Sequence, residues 1–194
     1  MSKNFYISDT HFGHKNILRY DNRPFFTTTE MDKEMIARWN SAVQPDDTVY
    51  ILGDFCWKGE DRWFDILEHL NGRKVLIRGN HDPDKMSDRV AKHFAEVADY
   101  KEVDDAGRKI VLCHYPIPCF KNHFYGWYHL YGHVHVSFEA NMMESDKYLM
   151  RDLYDKQCNM YNVGCMMPWM DYTPRTLDEI IERYSAGGNP DGKV

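Results

Sequence analysis

The apolar runs of this chain end in short polar fragments, and this arrangement restricts the fold more than any other feature of the sequence. Five such fragments occur in the order Asp9-Thr10-His11, Gly53-Asp54, Gly79-Asn80-His81-Asp82, His114 and Gly132-His133-Val134-His135. Four of the five lie at or directly after an apolar run that is typical of a β-strand. Strand ends in an open α/β sheet bring together side chains from distant parts of a chain. We therefore expect these fragments to converge.

Strand-like and helix-like patterns alternate along the first half of the chain. Apolar runs predict strands at residues 4–8, 48–52 and 74–78. Apolar residues at helical spacing predict three helices, through residues 31–43, 63–70 and 86–94. The first of these helices is expected to begin near Thr27 and Glu30, which have the spacing of a capping box. This alternation is typical of an α/β fold.

The second half of the chain predicts more strands and fewer helices. A hairpin is expected from runs at 100–103 and 109–113, which flank the turn sequence Asp104-Asp105-Ala106-Gly107. Short strands are expected at 128–131 and 160–163, and a last helix through residues 177–184. Residues 137–158 are polar and rich in methionine, and they give no pattern that we could interpret. The later strands predict a second sheet or an antiparallel extension of the first.

The length of 194 residues suits one domain with a sizeable core. We expect that domain to span residues 1–185 and the tail at 186–194 to be disordered. The formal net charge of −6 and the lack of a lysine or arginine run disfavour binding to a long nucleic acid.

Cysteine content and hydropathy indicate the compartment. The chain has five cysteines, an odd number, and no Cys-x-x-Cys pair, so a disulfide framework is not expected. No stretch reaches the roughly 18 apolar residues of a membrane span, and the N-terminus lacks the apolar region of a signal peptide. These features predict a cytoplasmic protein that has no membrane partner.

The residue types in the five fragments are those of a dinuclear metal site. Two divalent ions about 3.5–4 Å apart need a shared ligand, and a carboxylate has the two oxygens for it. Asp54 is the expected bridge, since the preceding glycine allows a tight turn. Asp9 and His11 would point the same way if their strand continued to His11, and the two histidines of Gly132-His133-Val134-His135 share that spacing.

The Gly79-Asn80-His81-Asp82 fragment suggests three different roles. The neutral amide oxygen of Asn80 suits a site that is already rich in anions. His81, if protonated, could stabilise or protonate a departing oxygen. Asp82 could orient the imidazole of His81, but it also precedes Pro83 and could cap the following helix.

The fragments Asp-x-His, Gly-Asp, Gly-Asn-His-Asp, His and Gly-His-x-His, in this order, resemble those of the calcineurin-like metallophosphoesterases. The segment from Ser8 to His14 is similar to a small single-domain branch of that family found in bacteria and phages. The resemblance implies a four-layer α/β/β/α sandwich with two mixed β-sheets packed face to face. It also implies that Asp9, His11 and His135 hold one ion, that Asn80, His114 and His133 hold the other, and that Asp54 bridges them. His81 would be the catalytic residue beside the metals, with Asp82 behind it.

The implied activity is hydrolysis of a small phosphate ester by a hydroxide that bridges the metals. Mixed nitrogen and oxygen ligands suit manganese, iron, zinc, nickel or cobalt better than magnesium. A phosphodiester is the preferred substrate; the alternatives are a phosphomonoester, such as a nucleotide or phosphoprotein, and a metal-binding module without catalysis. His14 and Arg23 are possible substrate contacts, although both could be ordinary surface residues. The oligomeric state stays open.

Overall fold

The computed structural model describes residues 2–187 and has two four-stranded sheets. The strands are β1 (Asn4–Ile7), β2 (Thr48–Ile51), β3 (Arg73–Ile77), β4 (Phe94–Ala98), β5 (Tyr100–Asp105), β6 (Arg108–Cys113), β7 (Tyr128–Tyr131) and β8 (Asn159–Asn162). The α-helices are α1 (Ile17–Tyr20), α2 (Thr28–Ala42), α3 (Glu60–Glu68), α4 (Asp88–Ala91), α5 (Phe138–Tyr154) and α6 (Leu177–Gly187). The first sheet has the order β1-β2-β3-β4, and the second has the order β5-β6-β7-β8.

The two sheets differ in strand direction. All three pairs of the first sheet are parallel, because helical connections after β1, β2 and β3 return the chain to the same edge. In the second sheet, β5 and β6 form an antiparallel hairpin, whereas β6–β7 and β7–β8 are parallel. The expected α/β fold is confirmed, and the expectation of two mixed sheets is refined: only the second sheet is mixed.

Side chains of β6 alternate between two hydrophobic clusters. Ile110 and Leu112 belong to the large core, which also contains the buried side chains of β1, β2, β3, α2 and α3. Val111 points the other way, into a smaller cluster against which Ala140 and Met143 of α5 pack. The second sheet is therefore covered by the first sheet on one face and by α5 on the other, which is the expected layered arrangement.

The ends of β1 and β8 join the two sheets. The Ser8 backbone N–H donates to the Val163 carbonyl, and the Cys165 N–H donates to the Ser8 carbonyl, both at 2.8 Å. The Tyr6 hydroxyl donates to the Asp105 carboxylate at 3.0 Å, which links β1 to β5. These contacts bring the polar fragments of the first sheet beside those of the second.

Two segments differ from the sequence prediction. The helix expected through residues 86–94 is wrong in extent: α4 spans Asp88–Ala91, and Phe94 begins β4. Val90 and Phe94 are both buried, as expected, but a strand places the second of them. Residues 137–158, which gave no pattern, contain the 17-residue helix α5.

The C-terminal helix is longer than expected. It runs to Gly187, so the first two residues of the expected tail are helical. The rest of that tail, 188–194, lies outside the described residues. Within residues 2–187, no helix combines the length and apolar character needed to cross a lipid bilayer.

Candidate metal centre

The loops after β1 and β2 run side by side and place the first donors. The Asp9 N–H donates to the Gly53 carbonyl at 3.0 Å, and the His11 N–H donates to the Asp54 carbonyl at 2.9 Å. The strand itself ends at Ile7, close to the predicted end, so the condition that it continue to His11 is not met. The donor side chains converge through backbone turns instead.

Five donor residues have left-handed backbone conformations. They are Asp9 (φ 54°), His11 (φ 47°), Asp54 (φ 52°), His133 (φ 71°) and His135 (φ 47°). A residue other than glycine in this region costs of order 1–3 kcal/mol, and such residues cluster at functional sites. The surrounding fold therefore stabilises a strained arrangement that aims these side chains at one place.

The first group of donors consists of Asp9, His11, Asp54 and His135. One donor atom of each lies within 4.8 Å of the others. His11 Nε2 is 3.5 Å from Asp54 Oδ2, and His135 Nε2 is 3.5 Å from Asp9 Oδ1. Two carboxylates and two imidazoles at these distances form a set that could hold one divalent ion.

The second group consists of Asn80, His114 and His133. The amide oxygen of Asn80 lies 3.1 Å from His114 Nε2 and 2.9 Å from His133 Nδ1. Asp54 also reaches this group, because its Oδ1 is 3.7 Å from His114 Nε2. The two carboxylate oxygens of Asp54 thus face different donor groups.

Glycines allow this close approach at two points. Gly53 has φ +85°, and a Cβ on it would lie 2.6 Å from the Gly79 backbone nitrogen. A Cβ on Gly132 would lie 2.7 Å from the Ser8 Cβ and would also overlap the Asp9 carboxylate. A larger residue at either position would therefore push the two loops apart.

A buried ion pair beside the first group was not predicted from the sequence. The Asp21 carboxylate accepts from His135 Nδ1 at 2.8 Å, which leaves Nε2 for a metal. Arg23 donates to the other oxygen of Asp21 and to the carbonyls of Asp9 and Thr10, each at 2.8 Å. No local pattern in the sequence marks Asp21.

The expected exposure of Arg23 is wrong. Its side chain is fully buried, and its guanidinium already donates to Asp21 and to the backbone carbonyls of the Asp9 loop. Burial opposes a charge at this place, but Asp21 and other nearby groups raise the pKa of Arg23. Arg23 therefore holds Asp21 and the Asp9 loop in place, and it is not among the residues that line the neighbouring cavity, so the structure does not support it as a substrate contact.

The buried donors fit divalent cations. His11 Nε2 is buried and has no hydrogen-bond partner among residues 2–187. Burial raises the pKa of Asp9 and lowers the pKa of His11, so the buried carboxylate lacks the hydration that its charge needs. His114 Nδ1 lies 2.7 Å from the Leu52 carbonyl, which directs its Nε2 toward Asn80. Neutral imidazoles and buried carboxylates are the donor set of a transition-metal site.

The loop after β3 carries His81 and Asp82 in different environments. The His81 ring is exposed on the cavity side, with its centroid 5.7 Å from that of His11. The Asp82 carboxylate accepts from the backbone N–H groups of Asp54, Phe55 and Gly79 at 2.8–2.9 Å.

These bonds differ from both roles expected of Asp82. Its two oxygens bind backbone amides and do not contact the His81 ring, and Ser87 precedes α4 at the capping position. Burial raises the pKa of Asp82 to about 6, against the lowering effect of the amide donors. The carboxylate therefore joins the Gly79 loop to the Asp54 loop.

An open cavity of about 490 Å³ adjoins both donor groups. His14 lines this cavity, and its ring lies 3.9 Å from that of Trp57 with an angle of 9° between the planes. Trp57 also lines the cavity and was not predicted from the sequence. Other lining residues come from α1 and from the start of α5, namely Ile17, Tyr20, Ser137 and Glu139.

Comparison with known proteins gives the family. The calcineurin-like phosphoesterase superfamily domain matches residues 3–177. The uncharacterized protein MJ1445 of Methanocaldococcus jannaschii is 35% identical over 189 residues, which cover 96% of this chain and 94% of that protein. The Gene 66 protein of Mycobacterium phage L5 is 39% identical over 85 residues, or 42% of this chain and 41% of that protein.

A solved structure supports the same conclusion for the fold. The protein of unknown function AQ665 from Aquifex aeolicus aligns with a TM-score of 0.69 and 28% identity, over 94% of this chain and 99% of that one. The resemblance carried by the five fragments is thereby confirmed. Since the family model matches most of its length, this chain belongs to the calcineurin-like phosphoesterase superfamily.

Proposed function

We propose that this protein hydrolyses small phosphate esters, preferably phosphodiesters, with two divalent metal ions. The observation that carries the proposal is the position of Asp54. Its Oδ2 lies 3.5 Å from His11 Nε2 in one donor group, and its Oδ1 lies 3.7 Å from His114 Nε2 in the other. A carboxylate placed in this way is suited to bridge two cations.

Each ion would have its own ligands beside this bridge. Asp9, His11 and His135 would complete one site, and Asn80, His114 and His133 would complete the other. The mixed nitrogen and oxygen donors favour manganese, iron, zinc, nickel or cobalt. When bound, the ions lower the pKa of coordinated water and polarise phosphoryl oxygens.

The protein's own groups would orient the reaction. Asp21 holds the His135 ring, and the Leu52 carbonyl holds the His114 ring, so both present Nε2 to the centre. His81 lines the cavity beside the first donor group, where its ring can donate to a phosphoryl or leaving-group oxygen. His14 lines the same cavity and can contact the substrate.

The space beside the donor groups is compatible with a diester. The cavity extends from the donor groups to Trp57 and Tyr20, so a phosphorus held at the metals could carry an ester group on that side. A phosphomonoester of similar size would fit as well. A long nucleic acid is disfavoured by the net charge of −6.

Hydrolysis of bis(4-nitrophenyl) phosphate and of 4-nitrophenyl phosphate, each with added manganese, tests the proposal. The wild-type protein should release nitrophenol from the diester faster than from the monoester. Asp54→Asn should abolish turnover and lower the bound manganese at both sites. Asp46→Asn, a change of an exposed turn residue, is the matched control and should behave as wild type.

The outcomes separate the candidate functions. Turnover of the monoester alone would favour the phosphomonoesterase. Two bound manganese ions without hydrolysis of either ester would favour a metal-binding module. Activity that survives complete chelation would contradict a metal mechanism.

His81→Ala tests the role of the histidine beside the metals. The variant should keep two manganese ions and lose about 10²–10⁴-fold in kcat, the usual contribution of a positioned acid or base. His69→Ala, at the exposed histidine that directly follows α3, is the control. Unchanged kcat in His81→Ala would remove the catalytic role.

A further inference from the structure

The cavity beside the candidate metal centre is lined by two kinds of side chain. The first kind consists of three histidines of the donor groups, His11, His133 and His135, together with His81. The second kind consists of the aromatic rings of Trp57 and Tyr20, with the apolar Ile17 and Val136. The first kind suits a phosphoryl group, and the second suits an apolar or planar group on the same substrate.

Trp57 is held in place although it is exposed. Its backbone N–H donates to the Phe12 carbonyl at 3.0 Å, and its ring stacks on His14. The Trp57 side chain nevertheless remains 48% exposed, and that of Tyr20 remains 61% exposed. His14 covers one face of the indole, and the His81 ring lies 5.0 Å from it, centroid to centroid. The exposed part of this fixed ring is a ready surface for a flat ligand, because little conformational freedom is lost on binding.

The charges of the cavity limit what such a ligand can carry. No lysine or arginine is among its lining residues within the described part of the chain, whereas the carboxylates of Asp21 and Glu139 are. A phosphate at the metals would be neutralised by the cations. A second phosphate further out would meet no side-chain cation there and would face the exposed Glu139.

We propose that Trp57 forms a subsite for an uncharged planar group, and that the substrate is a nucleoside ester with one phosphorus. The base would stack on the indole while the phosphoryl group lies at the metals. The additional phosphates of nucleoside di- and triphosphates would not increase their binding affinity. This inference rests on the proposed function, since it places the phosphoryl group at the metal centre.

Binding of adenosine 5′-monophosphate and of methyl phosphate to the manganese-loaded protein, measured by calorimetry, tests the subsite. The wild-type protein should bind the nucleotide at least 10-fold more tightly than methyl phosphate, as expected for one stacked base. Trp57→Ala should remove most of that advantage, so that the nucleotide and methyl phosphate bind with nearly equal affinity. Trp57→Phe should restore part of it, because phenylalanine keeps a flat ring.

A control variant tests whether the effect is specific to Trp57, and a third ligand tests the limit to one phosphorus. Tyr125→Ala removes an aromatic side chain that is 84% exposed and does not line the cavity, so it should bind all ligands as wild type does. Adenosine 5′-diphosphate should bind no more tightly than the monophosphate. A diphosphate that binds 10-fold more tightly would overturn the limit to one phosphorus.

Failure of the subsite and failure of the proposed function give different results. Equal affinity for the nucleotide and methyl phosphate, or an equal loss of both in Trp57→Ala, would overturn the subsite even if aryl diesters are hydrolysed. Nucleotide binding that depends on Trp57, without hydrolysis of any ester, would support the subsite and overturn the proposed activity.

Discussion

Buried residues set the direction of the side chains that we propose as metal ligands. Asp21 and His135 are joined at 2.8 Å, and Arg23 fixes Asp21 and the carbonyl of Asp9 at the same time. One guanidinium therefore holds both the Asp9 backbone and the carboxylate that orients His135. Partners of this kind commonly change metal affinity 10- to 100-fold, because they select the tautomer and the orientation of the imidazole.

Asp21→Ala should weaken manganese binding at the Asp9, His11 and His135 site by about 10- to 100-fold. Binding at the Asn80, His114 and His133 site should remain, so calorimetry should show one weakened step and one intact step. Asp21→Asn should lie between the variant and wild type, because the amide oxygen can still accept from Nδ1 of His135. Asp61→Asn, at an exposed carboxylate, is the control. Equal weakening of both steps would contradict the assignment.

His129 is a buried histidine away from the metal centre, and its two ring nitrogens have different partners. Nδ1 lies 3.1 Å from the Val111 carbonyl, and Nε2 accepts from the Ile117 N–H at 3.0 Å. This arrangement fits the neutral ring, and burial lowers the pKa of His129 to about 4. In the unfolded chain the histidine pKa is near 6.5, so between about pH 4 and pH 6.5 the unfolded chain binds this proton more readily than the folded chain does.

Because the folded-state pKa of His129 is the lower one, its contribution to stability is lost as the pH falls from about 6.5 to about 4. The loss should approach about 3 kcal/mol at the lower limit. The Cε1 proton resonance of His129, assigned with His129→Gln, should keep its neutral-form position from pH 8 to pH 5. Free imidazole in the same tube is the reference. A midpoint near 6.5 for His129 would contradict the prediction.

The donors and their supporting residues differed in how far the sequence could identify them. Asp9, His11 and Asp54 occur in short fragments at strand ends, so their type and position suggested the site before the structure was known. Asp21 and Trp57 lie in segments whose local pattern is ordinary. Their roles depend on which residues the two sheets bring near them, and the sequence of those segments does not contain that information.

At the level of elements, long segments with a clear apolar period were predictable. Short segments, and helices with apolar residues on more than one face, were not. Val90 in the single turn of α4 and Phe94 at the start of β4 are four positions apart. Two apolar residues at that spacing fit one continuous helix equally well. In α5, Ala140 and Met143 pack on the sheet, while Phe138 and Met142 are exposed. Because apolar residues occur on both the packed and the exposed faces of α5, the sequence does not show the helical spacing of its buried residues.

The start of α2 shows which interactions stabilise an element end. The Thr27 hydroxyl accepts from the Glu30 N–H at 3.1 Å, and the Glu30 carboxylate accepts from the Phe26 N–H at 2.9 Å. Thr27→Ala should lower the free energy of unfolding by about 1 kcal/mol, because it leaves a helix N–H without its cap. Urea unfolding measures the change.

Thr29→Ala is the matched control for the cap. It makes the same chemical change two residues later, at an exposed position inside α2. Alanine has the higher helix propensity, so this variant should be as stable as wild type or slightly more stable. An equal loss in both variants would show that the hydroxyl of Thr27 has no special role.

At the scale of the molecule, the candidate metal centre lies where the two sheets meet. Asp9, Asp54 and Asn80 follow strands of the first sheet, whereas His114 and His133 follow strands of the second. Polar contacts join the two sets of loops, such as the His133 N–H with the Asp9 carboxylate at 3.1–3.2 Å and His114 Nδ1 with the Leu52 carbonyl at 2.7 Å. Ions bound at this junction would connect the sheets, so they should bind the folded chain and not the unfolded one.

Manganese should therefore raise the melting temperature. At a free concentration 100 times the dissociation constant, one site adds about 2.7 kcal/mol. For a chain of this size that corresponds to about 5–10 °C, which differential scanning calorimetry resolves. Asp54→Asn should lose most of the increase, and excess chelator should reverse it in the wild type. Asp46→Asn should keep the full increase, and potassium chloride at the same ionic strength should produce none. An equal rise in Asp54→Asn and wild type would show that manganese stabilises the chain elsewhere.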